Sequence, residues 1–180
     1  MKITKIKTPL NPGLISSLKA GDHVLLSGII YTARDAAHKR LVDLIHRGKE
    51  LPINLAGEII YYTGPSPPRP GKPAGSAGPT TSCRMDIFTP ELIKSAGIKA
   101  MIGKGDRSIS VVEAMIEYGC VYFAATGGAA ALITKSILSC KTICYEDLGA
   151  EAINRMEVKD FPLITAIDTR GQNIYRTTPL

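Results

Sequence analysis

Cationic and hydroxyl side chains cluster in three short segments, each of which adjoins a predicted strand or loop end. The cations are Arg34 in TARDAAH, Arg84 in GPTTSCRMD and Lys104 in GKGDRS. Arginine binds carboxylates through paired hydrogen bonds, and lysine adds a compact positive charge. If the three segments converge in the fold, these side chains could hold the two carboxylates of one small dianion.

Each cation also has an acidic neighbour in the sequence, which leaves a simpler interpretation open. Local ion pairs would join Arg34 to Asp35, Arg84 to Asp86 and Lys104 to Asp106. Such pairs would neutralise the cations and leave no charge for a ligand. The two interpretations differ in which acid each cation contacts.

A fourth segment, ATGGAAAL, places Gly127 and Gly128 before a predicted helix. Glycine turns and helix N-termini present free N–H groups to an anion. The GKGDRS segment looks like a fragment of a phosphate-binding loop. It lacks the GxxxxGK[ST] spacing, which argues against ATP binding.

The cysteines and histidines show no metal-binding spacing. The four cysteines form no CxxC motif, and the three histidines lie far from them in sequence. We therefore expect no zinc or iron–sulfur site carried by this chain alone. Cys120, Cys140 and Cys144 are expected to be buried, reduced thiols.

The elements that position these segments alternate between strands and helices, which over residues 89–145 is typical of a parallel α/β layer. The predicted strands are 3–8, 22–33, 58–64, 98–103, 121–125, 141–145 and 162–171, with a short last strand at 172–176. The predicted helices are 14–21 (a short helix or a turn), 34–48, 89–97, 108–119 and 127–138, and 152–158 fits a short helix or a strand. Thr89 is the expected N-cap of the third helix, and Ser108 or Ser110 that of the fourth. Because α/β proteins bind ligands at the carboxyl ends of their strands, Arg34 and Lys104 occupy candidate binding positions.

Residues 64–78 are rich in proline and glycine and predict a long irregular segment. One interpretation is a flexible linker between two domains. Long irregular loops inside compact domains are uncommon and often functional. We favour an ordered active-site loop within a single catalytic domain that covers residues 1–180.

Composition and charge narrow the class of protein. A chain of 180 residues that is 44% hydrophobic and 21% charged is globular. It has no long apolar run and no signal-peptide pattern, so we expect a cytoplasmic protein that does not contact membranes. The net charge of +6 arises in residues 1–90, but aromatic residues make up only 6% and tryptophan is absent. This pattern does not favour nucleic-acid binding.

Five segments, in the same order, resemble the β subunit of the two-chain, iron–sulfur class I fumarate hydratases and the related L-tartrate dehydratase β subunit. The segments are GDHVLLSGIIYTARDAAHKRL, GPTTSCRMD, GKGDRS, ATGGAAAL and EAINRMEVKDFPLITAIDTRGQNIY. In single-chain members the same region is the C-terminal domain. The resemblance implies an α/β fold, a single swivelling β/β/α-type domain with a mixed, partly parallel sheet.

The resemblance also implies a hydro-lyase of the tricarboxylic acid cycle that hydrates fumarate reversibly to (S)-malate. Its [4Fe–4S] cluster would be held by a separate α subunit, so this chain would contribute no metal ligand and would be active only in a hetero-oligomer. Self-association of the isolated chain is a further expectation. Two alternatives stay open: a β subunit that acts on tartrate or another hydroxy-diacid, and a non-catalytic anion-binding module.

Matched onto this sequence, the family's substrate-binding cations fall on Arg34, Arg84 and Lys104, and its catalytic base falls on Thr80. A further set of residues in the same segments could line the site: His38, Thr81, Cys83, Asp106, Gly127 and Gly128. A threonine hydroxyl is a poor base, so Thr80 would need activation by a neighbour or by the positive field of the site.

Two of the lining residues have a second interpretation. His38 follows Arg34 by four residues and would share its helical face, where it could orient a ligand, but we favour a structural histidine. Cys83 departs from the small or polar residue that relatives often carry. We do not expect it to bind the cluster, and a thiol beside the site would make the enzyme sensitive to oxidation.

Overall fold

The structure is a computed structural model that describes residues 3–68, 70–71, 73–125 and 130–176, with the backbone alone for 130–132. Its strands are β1 (Ile3–Lys7), β2 (His23–Thr32), β3 (Ile59–Tyr61), β4 (Ala100–Gly103), β5 (Val121–Ala124), β6 (Ile137–Cys144) and β7 (Ile153–Ile167). Its helices are α1 (Pro12–Ser17), α2 (Asp35–His46), α3 (Thr89–Glu91), α4 (Ile109–Tyr118) and α5 (Ala130–Ser136). A π-helical turn, Leu92–Ala96, continues α3, and 3-10 turns cover Ser82–Met85 and Glu146–Glu151.

The seven strands form one mixed sheet in the order β1-β2-β3-β4-β5-β7-β6. Strands β1 to β5 pair in parallel, and β7 runs antiparallel to its neighbours. The 15-residue β7 pairs with β2 over most of its length and with β5 through its last residues. These pairings close a ring of five strands, β2-β3-β4-β5-β7, so the predicted single α/β domain with a mixed, partly parallel sheet is confirmed.

Because successive strand residues point to opposite faces, the ring separates two cores. The inner core takes residues from all five ring strands, such as Ile30, Ile59, Ile102, Phe123 and Phe161. The outer core lies between the strands and α2, α3 and α4. The carboxyl ends of β2, β3 and β4 consequently share one rim of the ring.

The described part of the proline- and glycine-rich segment, 64–78, packs against the inner core. Ala74 and Ala77 are buried there, and the Tyr61 hydroxyl donates to the Ala77 carbonyl at 2.5 Å. Within the loop, the Ser66 hydroxyl accepts from the Ser76 N–H at 2.8 Å. This packing is not that of a linker between two domains, and the assignment of the loop to an active site stays a prediction.

The C-terminal third differs from the sequence-based expectation. The predicted elements 152–158 and 162–171 form one continuous strand, β7, which passes through exposed Lys159 and Asp160 with a positive φ at Asp160. The charged pair interrupts the apolar pattern and forms a bulge opposite Ser27, and pairing with β2 resumes on either side of it. The predicted strand at 172–176 is wrong, since only an isolated bridge joins Ile167 and Asn173.

The bounds of two helices also differ from the predicted ones. The helix predicted at 127–138 ends at Ser136, and β6 begins at the next residue rather than at 141. The helix predicted at 14–21 is shorter and starts earlier, because Pro12 occupies its first turn and Asn11 caps it.

The N-terminal caps of α3 and α4 differ in part from the predicted ones. Thr89 lies inside α3 rather than at its N-cap, and its hydroxyl donates to the Met85 carbonyl at 2.8 Å. Ser108 is the N-cap of α4, but its side chain makes no capping bond. The Asp86 carboxylate accepts from the Ser108 N–H instead, at 2.6 Å.

Within the described residues, no helix is long and apolar enough to cross a membrane. The cytoplasmic location stays a prediction.

We expect Gly103→Ala to destabilise the protein by about 1–3 kcal/mol, the usual cost of overpacking a filled core. A Cβ at Gly103 would clash with the Ser82 hydroxyl oxygen and meet the Tyr62 ring at 3.0 Å. Gly78→Ala is the matched control, because its Cβ would meet no atom within 4 Å. Urea unfolding of both variants measures the difference, and equal stabilities would contradict the close packing of β4 against Ser82.

Candidate anion-binding site

Arg34 lies where β2 ends and α2 begins, on the rim formed by the strand ends. It is the N-cap residue of α2 and its side chain is mostly buried, with 22% exposed. Its Nε atom is buried without a hydrogen-bond partner. A Cβ at Gly64 would meet the Ala150 carbonyl oxygen at 2.8 Å and Arg34 Cδ at 3.1 Å, so glycine lets the Arg34 side chain pack closely here.

Asp35 joins Arg34 to Arg84. Arg84 Nε donates to Asp35 Oδ1 at 2.9 Å, and Arg34 Nη2 lies 3.7 Å from Asp35 Oδ2. Glu151 approaches Arg34 from a distant part of the chain, with 3.5 Å between Nη2 and Oε1. The other carboxylate oxygen of Glu151 accepts from the Ala36 N–H at 2.9 Å and so satisfies a free donor of the first turn of α2.

Lys104 reaches the same region through its backbone. Thr81 and Lys104 form a parallel bridge, and the Ser82 N–H donates to the Lys104 carbonyl at 2.9 Å. The Lys104 N–H donates to Ser82 Oγ at 3.1 Å. The segment with Thr81 and Ser82 is therefore fixed beside the end of β4, and the Lys104 side chain is exposed.

A buried tyrosine fixes the two segments together. The Tyr122 hydroxyl lies 2.9 Å from Ser82 Oγ and donates to the Gly105 carbonyl at 2.9 Å. Burial raises the pKa of this hydroxyl, which therefore stays protonated and able to donate. Tyr122 belongs to β5, so a ring strand sets the distance between the segments that carry Thr80 and Lys104.

Thr80 is half-buried and extends the strand pattern, since its N–H donates to the Tyr62 carbonyl at 2.7 Å. Thr81 and Cys83 are exposed next to it. The backbone bonds of Thr80 and Ser82 thus hold the whole turn, up to Arg84, against the ends of β3 and β4.

His38 is fully buried and contacts the backbone of Arg34, not its guanidinium. Its Nδ1 lies 2.8 Å from the Arg34 carbonyl, while its ring packs edge-on against Tyr62, with centroids 5.3 Å apart. Burial is the largest cause that lowers the pKa of its imidazole to about 4. His38 is therefore neutral at pH 7 and has a structural role at the start of α2.

Beneath the turn lies an arginine that sequence reasoning did not single out. Arg107 is buried, and its Nε donates to Asp86 Oδ1 at 2.7 Å while Nη2 donates to Thr89 Oγ1 at 2.9 Å. Its guanidinium carbon lies 5.2 Å from the ring centroid of Tyr62 and 5.1 Å from that of Tyr122. Its place in GKGDRS was a signal of proximity to the site, but nothing in the sequence indicated burial.

Asp106 is engaged away from Lys104. Its Oδ1 accepts from Asn173 Nδ2 at 2.7 Å and its Oδ2 accepts from Arg176 Nε at 2.9 Å. Burial is the largest single effect on the Asp106 carboxyl and acts to raise its pKa. The hydrogen bonds together outweigh burial, so the pKa is lowered overall. Asp106 therefore anchors the residues after β7 to the loop after β4.

Two of the three local ion pairs considered for the cations are wrong. Asp86 pairs with Arg107 and Asp106 with Arg176, because the fold brings these distant partners closer than the sequence neighbours. Among the described residues, Lys104 takes part in no ion pair. The pairing of Arg34 with Asp35 is present, at 3.7 Å.

The thiols do not form a ligand set for a metal cluster. Cys83 is exposed, Cys120 is buried, and Cys140 and Cys144 lie on β6, partly exposed rather than buried as expected. Burial raises the pKa of the Cys120 thiol to about 11, which keeps it protonated. In the part of the chain that is described, no three His, Cys, Asp or Glu side chains are grouped to hold a metal ion. Gly127 and Gly128 lie outside the described residues.

Comparison with known proteins gives a family match. The family model described as Fumarase C-terminus matches residues 2–178. A Methanocaldococcus jannaschii protein provisionally named L(+)-tartrate dehydratase subunit beta is 40% identical over 166 residues, which cover 89% of this chain and 85% of the relative.

Longer relatives match over a smaller share of their own length. The anaerobic class I fumarate hydratase of Escherichia coli (strain K12) is 38% identical over 163 residues, 90% of this chain but 30% of that protein. The mitochondrial fumarate hydratase 1 of Leishmania major is 38% identical over 152 residues, 83% of this chain and 28% of that protein.

We expect His38 to make the protein less stable at acid pH. Because the folded pKa is about 4 and the ordinary value 6.5, the unfolded state binds the proton first. The contribution of neutral His38 is fully present above about pH 6.5 and is lost as pH falls through 4. In His38→Phe, roughly 2–3 kcal/mol of the fall in unfolding free energy between pH 7 and pH 4 should disappear.

Urea unfolding at several pH values measures this difference. The matched control is His46→Phe, which replaces an exposed histidine at the end of the same helix and should keep the fall. A pH dependence that is the same in His38→Phe and in the unmodified protein would contradict a neutral, buried imidazole.

Proposed function

The chain belongs to the Fumarase C-terminus family, and from that premise we propose that it is the β-type part of a hydro-lyase that interconverts fumarate and (S)-malate. The observation that carries the proposal is the grouping of cations on one rim. Arg34 and Arg84 share the Asp35 carboxylate, and the turn that bears Arg84 is bonded to Lys104. Three cations from three separate loops suit a ligand with two carboxylates.

The free edges of these cations support dicarboxylate binding. Within the described residues, Arg84 bonds to Asp35 through Nε, so its two Nη atoms form an open edge for a carboxylate. Lys104, whose exposed side chain follows a backbone bridge to Thr81, supplies a second positive group. We assign Arg34, Arg84 and Lys104 to substrate binding.

The same cations suit the chemistry of the reaction. Loss of water from malate removes a proton from the carbon next to one carboxylate, and negative charge then builds on that carboxylate. Fixed positive groups that face this charge lower the barrier, and such electrostatic stabilisation is commonly the largest catalytic contribution. In the reverse direction, the same groups orient fumarate.

We assign the proton transfer to Thr80. Its backbone is fixed by the bond to Tyr62, and its half-buried side chain adjoins Thr81, the residue paired with Lys104. Among the described residues, no acceptor is found that would take the proton of the Thr80 hydroxyl and so activate it. Activation would come from the positive charge of Arg84 and Lys104 or from a group on the partner subunit.

We propose that a separate α subunit holds the [4Fe–4S] cluster. A cluster with an open iron would serve as the Lewis acid for the leaving hydroxyl. One relative that this chain nearly spans is named a subunit beta, while the chain spans 30% of the E. coli enzyme. The subunit name of a relative of similar length supports a hetero-oligomer.

A second candidate function is the dehydration of L(+)-tartrate. The M. jannaschii relative favours it, since that protein bears the tartrate dehydratase name and matches over most of its length. Both substrates are four-carbon dicarboxylates, so the three cations serve either one. Positions that contact the hydroxyl groups would distinguish them.

The proposal is tested by anaerobic co-purification of the chain with its native partner, followed by rate measurements with fumarate, malate and both tartrate isomers. We expect a brown complex that turns over fumarate and malate fastest. Faster turnover of L(+)-tartrate would support the second candidate. Activity of the chain alone, or a complex inactive on all four compounds, would overturn the proposal and favour a non-catalytic anion-binding module.

We expect Thr80→Val to lower kcat of the complex by at least about a hundredfold, the usual scale for a lost general base. Substrate affinity should stay within about tenfold, because the cations are intact. Thr4→Val, a half-buried threonine on the edge strand β1, is the matched control and should keep full activity. A kcat within a few fold of the unmodified enzyme would exclude Thr80 as the base.

A further inference from the structure

Asp35 lies between Arg34, whose side chain is mostly buried, and Arg84, whose side chain is half-exposed. Its Oδ1 accepts from Arg84 Nε at 2.9 Å, and its Oδ2 lies 3.7 Å from Arg34 Nη2. The carboxylate is 29% exposed, whereas the Arg84 side chain is 51% exposed. Asp35 is also the first residue of α2, so the helix backbone fixes the position of its side chain.

We propose that Asp35 is a positioning residue that holds Arg34 and Arg84 as a pair, and that this pair selects ligands with two carboxylates over ligands with one. The inference rests on the proposed function, since it concerns the same dicarboxylate site. It adds a residue to that site and states what determines its selectivity.

Arg84 depends on Asp35 more than Arg34 does. Arg34 is confined by the close approach of Gly64 and has a second acidic neighbour in Glu151, 3.5 Å away. For Arg84, Asp35 is the hydrogen-bond partner found among the described residues. Without that bond, a long and half-exposed arginine would sample many rotamers and lose its direction toward a ligand.

The shared carboxylate also changes how charge acts at the site. Two guanidinium groups held close together repel each other, and Asp35 between them offsets that repulsion. Together with Glu151, it reduces the net charge seen from a distance and so the general attraction for any anion. The N–H groups stay directional donors, and an anion gains most when it presents a carboxylate to each arginine.

The test compares succinate with butyrate, which have the same carbon chain but two carboxylates and one. Each is titrated into the ¹⁵N-labelled full chain, and the arginine Nε–H signals report binding. We expect succinate to bind at least about tenfold more tightly than butyrate, the scale of one added charge-assisted contact. In Asp35→Asn that preference should fall to about twofold, because the amide cannot pair with both cations.

Asp43→Asn is the matched control. Asp43 lies on the same helix and pairs with Lys39 at 2.7 Å, so this variant removes an equal charge and an ion pair away from the two arginines. It should keep the preference of the unmodified chain. Circular dichroism and urea unfolding verify that both variants fold.

A double variant tests whether Asp35 acts through Arg84. In an Arg84→Ala background, Asp35→Asn should lower the succinate preference by no more than about twofold further. A full additional loss would show that Asp35 acts independently and would overturn the positioning role.

The outcomes separate this inference from the proposed function. A preference that survives in Asp35→Asn, or one that is absent from the unmodified chain, would overturn the inference. So would tighter binding of both anions in Asp35→Asn with an unchanged ratio, which is the result of a simple charge effect. A chain that prefers succinate as expected, in a complex without hydro-lyase turnover, would overturn the proposed function and leave the inference standing.

Discussion

Strand β7 hydrogen-bonds to β2 along one part of its length and to β5 along another, and this double pairing closes the ring of strands. Closure forces the apolar faces of five strands toward one another and creates the inner core. It also holds the parallel strands in register, so that the segments after β2, β3 and β4 meet on a single rim. The grouping of Arg34, Arg84 and Lys104 depends on this backbone constraint before any side-chain contact is made.

The buried Arg107 fixes the loops that follow the ring strands. Removing a guanidinium from water is costly, and the cost is offset by its hydrogen bonds to Asp86 and Thr89 and by two flanking tyrosine rings. The same Asp86 carboxylate accepts from the N–H of Ser108, the N-cap of α4. One ion pair therefore connects the turn that carries Arg84 to the loop that carries Lys104. The backbone beneath these two exposed cations is fixed as a result.

Sequence patterns predicted most strands, because β-branched and apolar residues mark the ring strands and glycines mark their ends. They failed at β7, where Lys159 and Asp160 interrupt the pattern with a bulge although the strand continues on either side. In the site, the position of the cations at strand ends was predictable from local sequence. The partners of Asp86 and Asp106 were not, because the contacts that decide them join residues far apart in the chain. Nor did the sequence indicate that Glu151 approaches Arg34.

Glu151 connects the site to the order in which the chain folds. The bond between its carboxylate and the Ala36 N–H spans 115 residues, and β2 finds its β7 partner across a similar separation. Contacts of such long range form late, because a large loop must close before they are made. During synthesis, the first half of the chain therefore carries both arginines without the acid that bonds to the first turn of α2 or the strand that closes the ring. The anion site is a product of complete folding, and a truncated chain would lack it.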